Sequence, residues 1–208
     1  DQHYKSLFPL NINRASFELR CGAFTNLERI QNLLGSNDSV QLVVRDELVP
    51  LIRERYPDIT INPNTLSPGI WLNGRGLWSK TILKDIISNR SYTKNGTIIA
   101  VYVQDDILQI EMQSYMENTS IVSTELDIQC MENIWDGIFL QSDVIIKDAE
   151  YFIELNRGNV HPSVSIENGD NIFIGDSAEV RAGSVLDARS GPIIIAEHSM
   201  IGYLIIAL

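Results

Sequence analysis

The chain has 208 residues, 27 acidic and 16 basic side chains and a net charge of -11. That balance excludes a general binder of nucleic-acid backbone, which needs a basic footprint, but leaves room for one phosphorylated metabolite held by a few donors. The length allows one sizeable core or two compact units, since domains run from about 50 to 250 residues.

From the N-terminus, "TNLERIQNLLG" repeats apolar residues at Leu27, Ile30 and Leu34, with Thr25 or Asn26 as N-cap and Gly35 as stop, and so predicts an amphipathic helix. "SVQLVVRD" reads as a buried strand, "ELVPLIRERY" as a short helix starting near Pro50, and "DITINP" as an extended piece ended by Pro63. "GIWLNGRGLW" predicts a strand running into a tight turn at Asn73-Gly74. "SKTILKDIIS" predicts helix, and the β-branched run "GTIIAVYVQ" an interior strand. Strands alternating with helices predict an α/β layered domain over residues 1–130. "ENIWDGIFLQSDVIIKDAEYFIEL" carries apolar residues at Ile138, Phe139, Val144, Ile145, Ile146, Tyr151 and Phe152 and predicts a helical linker over 131–158.

Beyond it the chain turns rich in Gly, Ser, Asn, Asp and β-branched residues and counts in sixes. Ile174, Val180 and Leu186 are each six apart, and the count resumes at Ile195 and Ile201. Neither the helical nor the strand period gives that step unless short strands are wound into a coil. The paired inward positions are Ile172/Ile174, Ala178/Val180, Ser184/Leu186, Ile193/Ile195 and Ser199/Ile201, and "DARSGP" is a small loop pushed out of one corner. The expectation is a left-handed parallel β-helix over 159–208, with Gly175 and Gly202 at corners where the backbone turns in strained conformations. A set of ordinary antiparallel strands is the alternative. About two coils are present, and "GYLIIAL" leaves the pattern, so the coil is expected to be incomplete.

Cys21 and Cys130 lie far apart without a CxxC or a Cys/His cluster, which suggests neither a zinc site nor a disulfide framework and fits a cytoplasmic protein. No apolar run is long enough to span a bilayer, so no membrane partner is expected, and "DQHYKSLFPL" lacks the layout of a signal peptide. The chain begins without Met, so a preceding segment is expected. Trp71, Trp78 and Trp135 read as core or interface packing.

An α/β domain followed by hexapeptides resembles the N-acetylglucosamine-1-phosphate uridyltransferase type. The residues are still more similar to a Bacteroidetes-type group of sugar nucleotidyltransferases. "FPLNINRASFELRCGAFTNLERI" follows that group's "PLTFTRPVADIRVGILTIREKW", with Pro9-Leu10, Arg14, Glu18, Leu19, Arg20 and Gly22 in register. "WLNGRGLW" resembles its "VNGR" strand, "ENIWDGIFLQSDVIIKDAEYF" its "WDIFELNGEAIREDF" linker, and "GSVLDARSGPIIIAEHSMI" its "GVVLDASNGPVYIGENAEI" coil. The group has Pro where this chain has Ala15.

The resemblance implies transfer of a nucleotidyl group from a nucleoside triphosphate to a sugar 1-phosphate, which needs a phosphate cradle, cations and magnesium-holding carboxylates. Only an echo of the phosphate loop stands here, Pro9-Leu10 followed by Arg14. Asn73-Gly74-Arg75 stands where an aspartate would be wanted, and arginine offers fixed charge rather than a metal ligand. The candidate binding residues are therefore Arg14, Arg20 and Arg75, with Glu18 as an orienting partner and Asn73 in the turn. Arg14, Arg20 and Glu18 each also read as a solvated or salt-bridged surface group, and Asn73-Gly74 as a simple hairpin turn. Asp105-Asp106 is the nearest metal-ready pair and equally a strand-end turn. The expected reaction is sugar-nucleotide transfer with altered nucleotidyl chemistry. The alternatives are a non-catalytic sugar-phosphate or nucleotide binder that assembles through its coils as a homo-oligomeric trimer, or an acyltransferase using acetyl-coenzyme A in a longer protein. His161 and His198 would be that activity's general-base candidates, and both also read as surface histidines.

Overall fold

The computed structural model describes residues 4–87, 90–116, 122–153, 158–202 and 206–207. In chain order its strands are β1 (Arg20–Cys21), β2 (Phe24–Thr25), β3 (Gln41–Leu42), β4 (Thr60–Ile61), β5 (Thr65–Leu66), β6 (Gly69–Leu72), β7 (Arg90–Lys94), β8 (Thr97–Val103), β9 (Ile107–Leu108) and β10 (Val122–Glu125). Eight strands of two or three residues follow: β11 (Asn159–Val160), β12 (Ser165–Glu167), β13 (Ile172–Ile174), β14 (Glu179–Val180), β15 (Val185–Asp187), β16 (Ile193–Ile195), β17 (Met200–Ile201) and β18 (Ile206–Ala207). The α-helices are α1 (Asn26–Gln31), α2 (Val49–Arg55), α3 (Lys80–Lys84), α4 (Met112–Met116), α5 (Asp136–Phe139) and α6 (Gln141–Asp148). Helix and strand are thus mixed, as an α/β chain requires. The residues divide into two compact units, one of residues 1–20 and 24–137 and one of residues 21–23 and 138–208.

In the first unit a mixed sheet runs β10-β7-β8-β6, with β8 antiparallel to both β7 and β6 and β10 parallel to β7. The β-branched run of β8 is one of its two interior strands. Ile99, Ala100, Val101 and Val103 are buried there, and Trp78, Tyr92 and Ile128 pack on Ile99 and Ala100. A second core gathers Ala15, Phe17 and Leu27 against Leu42, Leu48, Ile52 and Ile61. The strand expected in "SVQLVVRD" is only the two residues of β3, paired in parallel with β4. Thr25, not Asn26, caps α1: its Oγ1 accepts the Glu28 N–H at 3.1 Å, and its own N–H donates to Glu28 Oε2 at 2.7 Å.

In the second unit Val144 on α6 is buried, while Ile138, Phe139, Ile146 and Tyr151 are exposed. The hexapeptide stretch forms three parallel ladders, β11-β14-β17, β12-β15-β18 and β13-β16, in which each strand pairs with the third strand after it. The pairing is parallel throughout, with Asn159 opposite Glu179, Ile166 opposite Leu186 and Ile174 opposite Ile195, which removes the antiparallel alternative. Ile172, Ile174, Ala178, Val180, Leu186 and Ile195 form one buried cluster, the residues the count of six picks out.

The corner glycines behave differently from expectation. Left-handed φ falls at Asn168 (57°), Ser177 (57°), Gly183 (79°) and His198 (59°), and not at Gly175. Gly175 is required for another reason: a Cβ there would lie 2.5 Å from Glu197 N and 2.9 Å from Ala196 C, where two backbone passes meet. Most of "GYLIIAL", residues 203–205 and 208, lies outside the described residues.

Candidate functional site

The chain from Asn73 to Gly76 closes a β-turn, with the Gly76 N–H donating to Asn73 O at 3.1 Å. Asparagine suits the first position because its Oδ1 accepts the amide two residues on, here Arg75 N–H at 3.1 Å. The turn does not return as a hairpin. It continues into a bridge between Gly76 and Cys130, beside which the Met131 N–H donates to Arg75 O at 2.9 Å. Trp78, buried among core residues, donates its indole N–H to Asn73 O at 3.1 Å. Trp71 is half-buried, and Trp135 is half-exposed, at variance with core packing.

Arg75 is 6% exposed. Its Nε donates to Asn73 Oδ1 at 3.4 Å. Among the described residues its terminal guanidinium nitrogens have no hydrogen-bond acceptor and no carboxylate at ion-pair distance. A nearly buried arginine without a counter-ion is costly unless an anion reaches it. Its charge is felt at Cys130, whose thiol burial pushes up to about 11 while the guanidinium pulls the other way.

The N-terminal segment meets this turn. A Cβ on Gly74 would lie 3.0 Å from Phe17 Cβ and 3.2 Å from Phe17 N, so the turn rests on the 3-10 helical residues Ser16–Glu18. Glu18 is buried and does orient an arginine, but the arginine is Arg55. Arg55 Nη1 donates to Glu18 Oε1 at 2.8 Å and Oε2 at 3.0 Å, and also to Asn13 O at 3.1 Å. Glu18 further accepts the Ala15 N–H at 2.8 Å. Arg45 adds donations to the carbonyls of Asn11 and, at 3.1 Å, Ile12. Three successive carbonyls are thus tied down, and Arg14 is left exposed with no hydrogen bond or ion pair among the described residues. Arg20 is exposed and pairs with Glu28 at 3.1 Å.

The segment around Glu18 and the Asn73–Arg75 turn therefore come together, Arg14 stands three residues ahead of the shared contact at Phe17, and Arg20 is engaged with the α1 cap. Sequence reading missed Arg55, Arg45 and Asn26. Arg55 looked like an ordinary basic residue in a helix's last turn, and no local signal could pair it with Glu18.

A magnesium ion does not fit these residues. Asn73 Oδ1 is taken by Arg75, Glu18 is taken by Arg55 and Ala15, and a guanidinium is no ligand. Asp105-Asp106 follow Val103, which pairs with Gly69, whereas Asn73 follows Leu72, which pairs with Ala100. The acidic pair thus lies at the opposite end of the β6/β8 ladder, exposed in a bend. Among the described residues no group of three or more His, Cys, Asp or Glu is placed to hold a metal.

A family model described as sugar nucleotidyl transferase matches residues 1–157. The chain belongs to that family. No curated protein matches it. The match covers the whole of the Arg75 turn and the segment around Glu18, so the geometry above lies within the sugar nucleotidyl transferase region. The hexapeptide ladders lie beyond it. There His161 Nδ1 stands 2.8 Å from Ser163 Oγ at an exposed position, and His198 occupies an exposed left-handed corner. No helix among the described residues is long and apolar enough to cross a membrane.

Proposed function

We propose that this chain binds the phosphate of a sugar phosphate or nucleotide at Arg75, with Arg14 as a second cationic arm, and acts as a sugar-nucleotide transferase of altered chemistry. The observation that carries the proposal is the Arg75 guanidinium, almost buried and without an anionic partner among the described residues. In nucleotidyl transfer an oxygen of the sugar phosphate bonds to the α-phosphorus, the bond from that phosphorus to the bridging oxygen breaks, and pyrophosphate leaves. The attacking oxygen is already anionic, so no general base is needed, and the protein's task is positioning and charge. Arg75 supplies a fixed positive charge aligned by Asn73. We further propose that residues 1–130 form the transferase domain and 131–158 the linker. On this reading the three ladders are the faces of a left-handed β-helix through which copies trimerise. Two cysteines outside any disulfide suit a cytoplasmic setting.

A non-catalytic binder of the same ligands is the second reading, favoured by the engagement of Glu18 and Asn73, which leaves this turn no carboxylate to offer. An acyltransferase in a longer protein is not supported by the exposed His161 and His198. The test is a thermal-shift series with nucleoside triphosphates and sugar 1-phosphates, with and without magnesium, on the wild type, Arg14→Ala and Arg75→Ala. At a hundredfold excess over Kd a ligand adds about 2.7 kcal/mol of stability. Stabilisation lost in Arg75→Ala, followed by pyrophosphate release in a coupled assay, supports transfer. Stabilisation without release supports the binder, and no shift with any probe sinks both.

A further inference from the structure

Asn26 sits in the first turn of α1 and is completely buried. Thr25 holds the cap, so the Asn26 side chain is free to reach elsewhere, and its Nδ2 donates to Gly74 O at 2.8 Å. Its Oδ1 has no hydrogen-bond partner among the described residues. A buried acceptor left unmade destabilises a fold, and an apolar side chain of similar size would avoid the loss. The one hydrogen bond that the Asn26 side chain makes among the described residues must then have another use.

The Gly74 carbonyl and the Arg75 N–H are the two polar ends of a single peptide group. Asn26 holds the first and Asn73 Oδ1 holds the second, at 2.8 and 3.1 Å. A Cβ on Gly74 would press on Phe17 at 3.0 and 3.2 Å, so glycine fits closest there, and glycine is also the residue whose backbone is least restrained by itself. Clamping the peptide between two side-chain amides removes that freedom immediately before the arginine.

We propose that Asn26 is a positioning residue for the phosphate seat, fixing the Gly74–Arg75 peptide plane and through it the direction of the guanidinium. The inference rests on the reading that Arg75 receives the phosphate. A seat displaced by about 1 Å loses much of its effect on a bound group, up to roughly a hundredfold in catalysis.

The test uses the full chain, with inorganic pyrophosphate and glucose 1-phosphate as probes, and compares the wild type with Asn26→Leu, Asn26→Ala and Arg75→Ala. Affinity is measured by calorimetry, and the Arg75 Nε–Hε resonance is followed by NMR. The expected result is affinity at least about tenfold weaker in both Asn26 variants, per folded molecule, with a shifted or broadened Arg75 Nε–Hε resonance. Asn26→Ala covers the case in which the larger leucine fails to fold. Wild-type affinity and an unmoved resonance in an Asn26 variant, alongside lost binding in Arg75→Ala, overturn the positioning role alone. Wild-type affinity in Arg75→Ala overturns the phosphate seat, and the role of Asn26 with it.

Discussion

Glu18 is the residue whose removal should most disturb the first unit without touching its apolar core. The residue is 5% exposed, and its carboxylate bridges both oxygens to Arg55 and accepts the Ala15 N–H. In Glu18→Ala the Arg55 guanidinium loses its counter-ion and the Ala15 amide its acceptor. Breaking a fully buried pair costs about 3–5 kcal/mol. The Arg55 side chain, however, is 32% exposed, and water can take over part of its solvation. We therefore expect a loss of about 2–3 kcal/mol. Glu18→Gln keeps a neutral acceptor for Ala15 and should lose about 1 kcal/mol. All three tryptophans, Trp71, Trp78 and Trp135, belong to the first unit, so urea unfolding followed by tryptophan fluorescence reports on that unit alone. With a slope of about 2 kcal/mol per molar urea, Glu18→Ala should lower the midpoint by roughly 1–1.5 M. Tyr56 gives an independent readout. Burial first, then the Glu18 charge, raises its phenol above the ordinary value, so its titration should move down towards that value in Glu18→Ala. A midpoint loss equivalent to less than about 0.5 kcal/mol would show that Glu18 and Arg55 behave as an ordinary exposed pair.

In the second unit, Gly175→Ala should cost about 2–3 kcal/mol because the new Cβ meets the backbone of Ala196 and Glu197, whereas Gly191→Ala, with nothing within 4 Å, should leave stability unchanged. Circular dichroism on both variants decides it, and equal effects would contradict the close-approach account. The Cys130 thiol, held up to about 11 by burial, should alkylate at pH 8 on the order of a hundredfold more slowly than an unfolded thiol of pKa near 8.5. Because the folded value is the higher one, the stability it confers is full below the unfolded value and is lost as pH rises towards 11. A native rate equal to that in denaturant would show the thiol to be accessible and ordinary.

The hexapeptide core was legible because its signal is local: a residue's inward direction repeats along the chain, so Ile174, Val180 and Leu186 could be named without knowing their partners. The corner conformations were not. Glycine marks left-handed backbone by rule, yet Ser177 and His198 adopt it, and Gly175 is there for a backbone that arrives twenty-odd residues later. The same distinction applies at the site. Asn73, Gly74 and Arg75 stood out as a turn because turn chemistry is written in adjacent residues. The pairing of Glu18 with Arg55 and the reach of Asn26 to Gly74 depend on tertiary packing, and nothing in the spacing of these residues announces it.

The sign of the magnesium effect follows from the same turn and separates the readings of the site. Where carboxylates hold a metal, added magnesium tightens a triphosphate, because the ion bridges ligand and protein. At Arg75 the protein already supplies the positive charge, and magnesium bound to the free triphosphate lowers the negative charge the guanidinium attracts. Pyrophosphate and triphosphate should then bind Arg75 more weakly as magnesium is raised, whereas added simple salt, which screens a nearly buried charge much less than an exposed one, should have the smaller effect. A sugar 1-phosphate, which holds magnesium less firmly than a polyphosphate, should show a smaller loss. If magnesium instead strengthens the triphosphate, carboxylates other than Glu18 must complete the site, and the arginine seat would then be one contact within a metal-dependent centre.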